Sequence, residues 1–412
     1  MATAPAPKTT VAVFFGGRSV EHDVSILTGL QFLDALDTEL FEPLAVYIDP
    51  QGQWWCGEAL RRRSSYPLSG APEALGIEPV TLPVGTALGD RPGLMVARKG
   101  LMGRPKVETI GFDVAVPALH GSNGEDGTIQ GLFEFLRVPY AGCRPLGAAA
   151  TMDKHFTKRT LGATDVATLP HALVARPGRG TFLSEEPVKA ALDQQMPGWA
   201  FPLLVKPRRL GSSVGVAPAA DMDALMAALS RAFRLDDAAL VEPLVANLVE
   251  YNVAVRATET GPVTSAIERP LHDGPTLDFA AKYRAGGDGG PKLDDGPGEG
   301  MAAAGRALDP DELTDAQAAQ IRRDAAAAFA LFDLAGSVRV DFLCNGETGE
   351  IWLNELNTIP GSFAYYLWQA ATPALGFTDL AETLVREAQA LSAGRGGSTQ
   401  ADAGGATLFN RG

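Results

Sequence analysis

Cysteine is scarce in this chain. Cys56, Cys143 and Cys344 are the only three in 412 residues, odd in number and far apart. With no CxxC pair, neither a disulfide framework nor a zinc site is expected, and a reducing compartment fits. Aromatics make up only 7% and charged residues 20%, against 46% hydrophobic, which excludes a wholly disordered or fibrous chain. A basic excess is missing too: 35 Lys and Arg face 49 Asp and Glu, for a net charge of −14. A protein that tracks nucleic-acid phosphates is therefore not expected, although a local lysine cluster can still hold a small anion. Long apolar runs are also absent. Val11–Phe15 is too short for a signal-peptide core. Leu356–Thr378 carries no charge, but it contains Asn357, Pro360, Gln369 and Pro373, which a lipid-spanning helix would have to hide; it is read as buried loop and helix. No nucleophile elbow occurs, which leaves a covalent hydrolase little support. The expected protein is soluble and cytoplasmic, without a membrane or nucleic-acid partner.

The length suggests two to three domains. We expect a tail at 1–8, an N-terminal α/β domain at 9–147, a central domain at 148–240, a C-terminal domain at 241–393 and a Gly/Ala-rich tail at 394–412. Thr10–Phe15 reads as a strand ending at Gly16-Gly17, followed by a helix with Val24, Leu27, Leu30 and Leu33 on one side. Strand, glycine turn and helix open an α/β unit whose ligand sits at the strand's carboxyl end. Phe112–Leu119 repeats the pattern before a helix at Thr128–Leu136, and both strands are almost continuously apolar, as covered parallel strands are. Further strands are expected at Pro202–Pro207, Leu240–Glu242, Val253–Ala257, Val338–Leu343 and Glu350–Glu355. Helices are expected at Met222–Phe233, Asp315–Leu334 and Thr378–Leu391. The Gly/Asp-rich stretch 284–305 reads as a long mobile loop of the kind that serves as a lid.

Several groups could carry chemistry. Arg339 and Asp341 sit on one expected strand, and Glu355 and Asn357 at the end of the next. In an antiparallel hairpin the two acids would face each other, an all-oxygen set suited to Mg²⁺; the alternative is a hairpin with ordinary surface acids. Lys206 precedes the turn Gly211-Ser212-Ser213, whose N–H groups and hydroxyls suit a polyphosphate. It is not the GxxxxGK[ST] loop, because the lysine comes before the glycine. Lys154 and the pair Lys282-Tyr283 stand beside other turns, where a lone lysine is ordinarily a solvated surface residue. Glu21 and His22 follow the first glycine turn, and His120 with Glu125 and Asp126 follow the second strand. Polar groups at the ends of two parallel strands converge on one crevice.

Taken together and in order, these segments resemble the D-alanine–D-alanine ligase family of the ATP-grasp superfamily. The segments are FGGRSVEHDVS (15–25), LHGSNGEDGTIQGLFE (119–134), MDKHFTK (152–158), VKPRRLGSSVGV (205–216), AAKYRAG (280–286), RVDF (339–342) and NELNTIPGS (354–362). The resemblance implies an α/β (α+β) three-domain ATP-grasp fold and an ADP-forming ligase of cell-wall synthesis. Its expected substrates are ATP and D-alanine, with two Mg²⁺ (or Mn²⁺), in a homodimer. It implies that Glu21 holds the first substrate's ammonium with His120 nearby, and that Ser362, Tyr366 and Leu367 border the substrates. ATP falls to Lys154, Lys206, Ser212, Ser213, Glu242, Leu244, Glu250 and Lys282, and the metals to Asp341, Glu355 and Asn357. Arg339 and the Gly361 backbone would stabilise the oxyanion, while Ser212, Tyr283 and Glu21 would tie the mobile loop down. One departure stands out: a family serine–leucine pair at the second substrate is Tyr366-Leu367 here. A related ligase with another second substrate, and a catalytically silent nucleotide binder on the same fold, are the alternatives.

Overall fold

The structure is a computed structural model that describes residues 7–68, 72–83, 91–99, 105–271 and 305–394. Among these residues the strands form three sheets. The first contains, in spatial order, Pro105–Gly111, Gly93–Lys99, Glu78–Thr81, Trp54–Cys56, Phe41–Ile48, Thr9–Gly16 and Val114–Pro117. Thr9–Gly16 pairs in parallel with both of its neighbours, and the other pairings are antiparallel. Its alternate residues feed two different cores. Val11, Val13 and Phe15 pack with Leu30 and Leu33 of the helix His22–Ala35, while Ala12 and Phe14 pack with Phe133 and Tyr140. Two covered faces explain why the strand is apolar throughout.

The second sheet is antiparallel, in the order Ala217–Ala219, Leu203–Pro207, Ala238–Pro243, Ala172–Ala175. The helices Glu185–Gln195 and Met222–Ala232 bury Val188, Leu192, Leu225 and Leu229 against it. The third sheet, also antiparallel, runs Arg306–Leu308, Gly261–Pro270, Leu248–Thr258, Val338–Asn345, Ile351–Asn357. Behind it lies the helix Asp315–Leu331, started by a Thr314/Gln317 capping box and docked through Ile321, Ala325, Ala328 and Phe329.

The division expected after residue 240 falls inside strand Ala238–Pro243, and we infer that the change of unit lies in the connection 244–247. The chain also turns back on itself. Leu367 and Trp368, with Leu380, Leu384 and Val385 of the last helix, Phe377–Gly394, share the core of Val11, Val13 and Phe15. The stretch after Leu356 is thus buried loop and short helix (Tyr365–Gln369). Among the described residues no helix is long and apolar enough to cross a membrane. The loop expected at 284–305 lies outside the described residues, apart from Gly305.

Candidate active site

The crevice begins at the carboxyl end of Thr9–Gly16. Gly16 has φ +91°, and a Cβ there would lie 2.2 Å from the Ile48 carbonyl oxygen, so only glycine makes this turn. The chain then enters the helix His22–Ala35 with Glu21 at its N-cap position. Glu21 is buried, yet its carboxylate makes no cap. It accepts instead a hydrogen bond from the Ser212 hydroxyl. Gly121, at φ +69°, leaves room for it, since a Cβ there would sit 2.5 Å from Glu21 Oε2.

Two polar residues on the same helix complete this end. His120 Nε2 lies 2.8 Å from Thr28 Oγ1, which also accepts the Ser362 N–H at 3.2 Å. The Ser362 hydroxyl donates to Gln31. Burial, with the Arg339 cation adding to it, pushes the His120 pKa down to about 3, so the imidazole is neutral at physiological pH. Glu125 accepts N–H groups from Gly121 at 2.8 Å and Ile359 at 3.1 Å, joining the two loops. Burial, with the charge of Glu21 adding to it, raises its pKa to about 8. Glu125 is one of the polar groups that the sequence places at this crevice; Thr28 and Gln31 are not, and their only signal there is a polar pair a helical turn apart on a buried helix.

The lysines lie on the central sheet and the helix before it. Asp153 caps the helix Lys154–Leu161, which directs Lys154 Nζ to the Leu210 carbonyl at 2.6 Å and to Glu355 Oε2 at 3.3 Å. Lys206 Nζ reaches Glu242 Oε2 at 2.7 Å and Asn354 Oδ1 at 2.8 Å. Lys158 Nζ holds the other Glu242 oxygen at 2.8 Å. Glu242 is fully buried; burial alone would raise its pKa, but the two ammonium groups overcome that and hold it at about 2. Burial pulls Lys158 below its usual value, against the attraction of Glu242. Lys158 is a third lysine of this site, one that spacing did not single out. Ser212 and Ser213 take φ of +50° and +58° in the turn before Gly215. Leu244 donates its N–H to Pro202, and Glu250 lies half-buried on Leu248–Thr258.

The hairpin has the expected register: Asp341 is opposite Glu355, and Arg339 opposite Asn357. The Arg339 guanidinium grips Asp341 at both oxygens, at 2.6 and 2.7 Å, and Asn357 Nδ2 donates to Asp341 at 2.9 Å. Among the described residues no three His, Cys, Asp or Glu side chains cluster as metal ligands. Two facing carboxylates and an amide oxygen remain, a donor set that fits Mg²⁺, which keeps water and phosphate oxygens as further ligands. The row extends past the acids: Asp341 is opposite Asn252, which is opposite Glu268 and donates to it at 2.8 Å. Asn252 and Glu268 could not be found from sequence, because their place depends on the register of three strands.

Gly361 and Ser362 are buried, and Ser362, Phe363 and Ala364 all have left-handed φ near +55°. Tyr366 is buried with the Arg306 guanidinium 3.9 Å from its ring centre. The Leu367 side chain belongs to the hydrophobic core, so only its backbone is available to a substrate. Lys282 and Tyr283 lie outside the described residues.

The arrangement has known counterparts. The family described as D-ala D-ala ligase N-terminus matches residues 10–143, and its C-terminus counterpart matches 165–386. A D-alanine--D-alanine ligase of Heliobacterium modesticaldum is 35% identical over 370 residues, 88% of this chain and 90% of that protein. The chain belongs to the D-alanine–D-alanine ligase family. The fold agrees: the D-alanine-D-alanine ligase from Coxiella burnetii has a TM-score of 0.70 at 24% identity, covering 95% of this chain and 96% of its own. The VanG D-Ala:D-Ser ligase from Enterococcus faecalis also has a TM-score of 0.70 at 24% identity, covering 93% and 100%. As a member of this family the chain is an ADP-forming ligase that uses ATP and amino-acid substrates. Those two structures bear names with different second amino acids, so the fold alone does not fix the second substrate.

Proposed function

We propose that the protein joins two D-alanines at the expense of ATP, giving D-alanyl-D-alanine, ADP and phosphate for peptidoglycan synthesis. The observation that carries this reading is the convergence of Lys154 on Glu355, which itself faces Asp341, in a crevice where Ser212 also reaches Glu21.

Condensing a carboxylate with an amine in water is uphill, so the first D-alanine carboxylate takes the γ-phosphoryl group of ATP. The resulting acyl phosphate is attacked by the second D-alanine's amine, and phosphate leaves from the tetrahedral intermediate. Lys154 and Lys206 neutralise the phosphates, because positioning and electrostatics dominate phosphoryl transfer. Glu21 receives the first substrate's ammonium. Arg339 and the Gly361 N–H stabilise the oxygen on which negative charge develops in the tetrahedral intermediate, the most productive place for fixed donors. Asp341, Glu355 and Asn357 hold magnesium, which when bound neutralises phosphate charge. In this reading Ser213, Leu244 and Glu250 border the nucleotide, and Glu242 acts by setting Lys206. The protein works as a homodimer in the cytoplasm.

A related ligase with another second substrate is the second reading, favoured by the bulk of Tyr366 where the family carries a serine. Purified protein with ATP, Mg²⁺ and an amino-acid panel tests both, scored by phosphate release and product mass. D-alanyl-D-alanine as the main product supports the first reading. A better second amine supports the alternative, and no ATP consumption with any amino acid removes both.

A further inference from the structure

We propose that Arg306 is a specificity-determining residue for the second amino acid, acting by fixing the Tyr366 hydroxyl that reads this substrate's carboxylate. The proposal rests on the ligase reading above.

Arg306 opens strand Arg306–Leu308, which pairs with Gly261–Pro270 so that Glu268 faces Leu308 and Pro270 faces Arg306. Glu268 is therefore two positions away on the same face, within reach of a long side chain. Arg306 Nη1 donates to Glu268 Oε2 at 2.9 Å, while Asn252 Nδ2 holds the other oxygen at 2.8 Å. A carboxylate fixed at both ends fixes the guanidinium in turn. That guanidinium lies 3.9 Å from the Tyr366 ring centre, a cation–π distance. Cross-strand register joins the group to the acid pair, in the row Glu268, Asn252, Asp341, Glu355. Arg306 and Tyr366 thus stand at the end of the row that carries the reacting centre.

Burying an arginine–glutamate pair costs desolvation that an apolar pair at this place avoids, so core stability alone gives no reason for it. Its place against Tyr366 does, since the guanidinium lies over the ring at 3.9 Å. A phenol, with an ordinary pKa of about 10, needs no help to stay protonated, and burial raises it further against the pull of Arg339 and Arg306. The hydroxyl keeps its proton at neutral pH and can donate it to a carboxylate. A phenol is longer than the serine it replaces and needs a wall to hold its angle; Arg306 is that wall, and its positive charge favours an anion nearby.

The test is steady-state kinetics on the full-length enzyme with ATP and D-alanine, separating the first-site and second-site D-alanine KM values. Arg306→Met should raise the second-site KM about tenfold or more, the loss of roughly one oriented hydrogen bond to a charge. KM for ATP and for first-site D-alanine should change less than about twofold. Arg306→Lys keeps the charge without the planar contact and should fall between. Tyr366→Phe, which needs no Arg306 variant to fold, should raise the second-site KM alone. An unchanged second-site KM in Arg306→Met or in Tyr366→Phe overturns the proposal, as does a parallel rise of both D-alanine KM values. A wild-type protein that forms no ADP with D-alanine overturns the ligase reading itself, a result distinct from an active wild type whose variants show no KM split.

Discussion

The Ser212 hydroxyl donates to the Glu21 carboxylate across 191 positions of sequence. That bond latches the turn after Leu203–Pro207 to the start of the first helix, so the phosphate side and the amino-acid side of the crevice are one construction. Glu21 stands at a helix N-terminus, where negative charge is favoured. Its carboxylate nevertheless makes no cap with the helix N–H groups and accepts from Ser212. Glu21→Gln should lower kcat/KM for D-alanine about a hundredfold, mostly through first-site KM, and Ser212→Ala about tenfold. Thermal midpoints should stay near the wild type in both. A wild-type first-site KM in Glu21→Gln would rule out its role on the ammonium.

The second prediction concerns the acid hairpin. Arg339 occupies both oxygens of Asp341, so any cation bound there competes with a guanidinium already in place. Glu355→Gln should abolish most turnover and weaken Mn²⁺ binding, measured without ATP by electron paramagnetic resonance, by about tenfold. Circular dichroism should be unchanged. Full activity, or undiminished Mn²⁺ affinity, would remove Glu355 from the metal set.

Much of this site was legible in the sequence because its parts are local. The facing of Asp341 and Glu355 follows from two strands and one short turn. The glycine turn after Phe15 follows from a strand that must reverse beside its neighbour. What could not be read depends on long-range register or packing. Glu268 reaches the acid row through Asn252, a relation set by three strands and a bulge between Val253 and Val255. Lys158 lies in a motif whose lysines look alike on paper, and only the burial of Glu242 distinguishes it. Leu367 points into a core shared with the first strand, because the end of the chain packs back onto the beginning.

Glu242 provides the third prediction. Its two oxygens each hold a buried lysine, so removing its charge strands two ammonium groups at once. Glu242→Gln should destabilise the fold by roughly 3–5 kcal/mol in urea denaturation, as expected for breaking a buried ion pair at one partner. Lys158→Met should cost less, since Lys206 still neutralises the carboxylate. Equal small losses in both variants would mean that the network is relaxed by solvent rather than sealed from it.

Glu125 provides the last prediction, in the pH dependence of stability. Burial and the nearby charge of Glu21 raise its pKa from 4.5 to about 8 in the folded protein. Between those values the native state keeps a proton that the unfolded chain has released. Stability from this group is therefore complete below the unfolded value and is lost as pH climbs toward about 8. A glutamine in its place would not titrate, so the unliganded Glu125→Gln protein should lose less of its melting temperature than the wild type between acidic and alkaline buffer. The amide oxygen can accept only one of the two N–H groups, Gly121 and Ile359, that the two Glu125 oxygens take, so the variant is expected to melt lower throughout and the comparison is one of pH slopes rather than of midpoints. Melting curves for both proteins across that range decide the matter: parallel slopes would show that Glu125 is ionised throughout. A first-substrate ammonium beside Glu21 would offset the repulsion, so adding D-alanine should flatten the wild-type slope toward that of the variant.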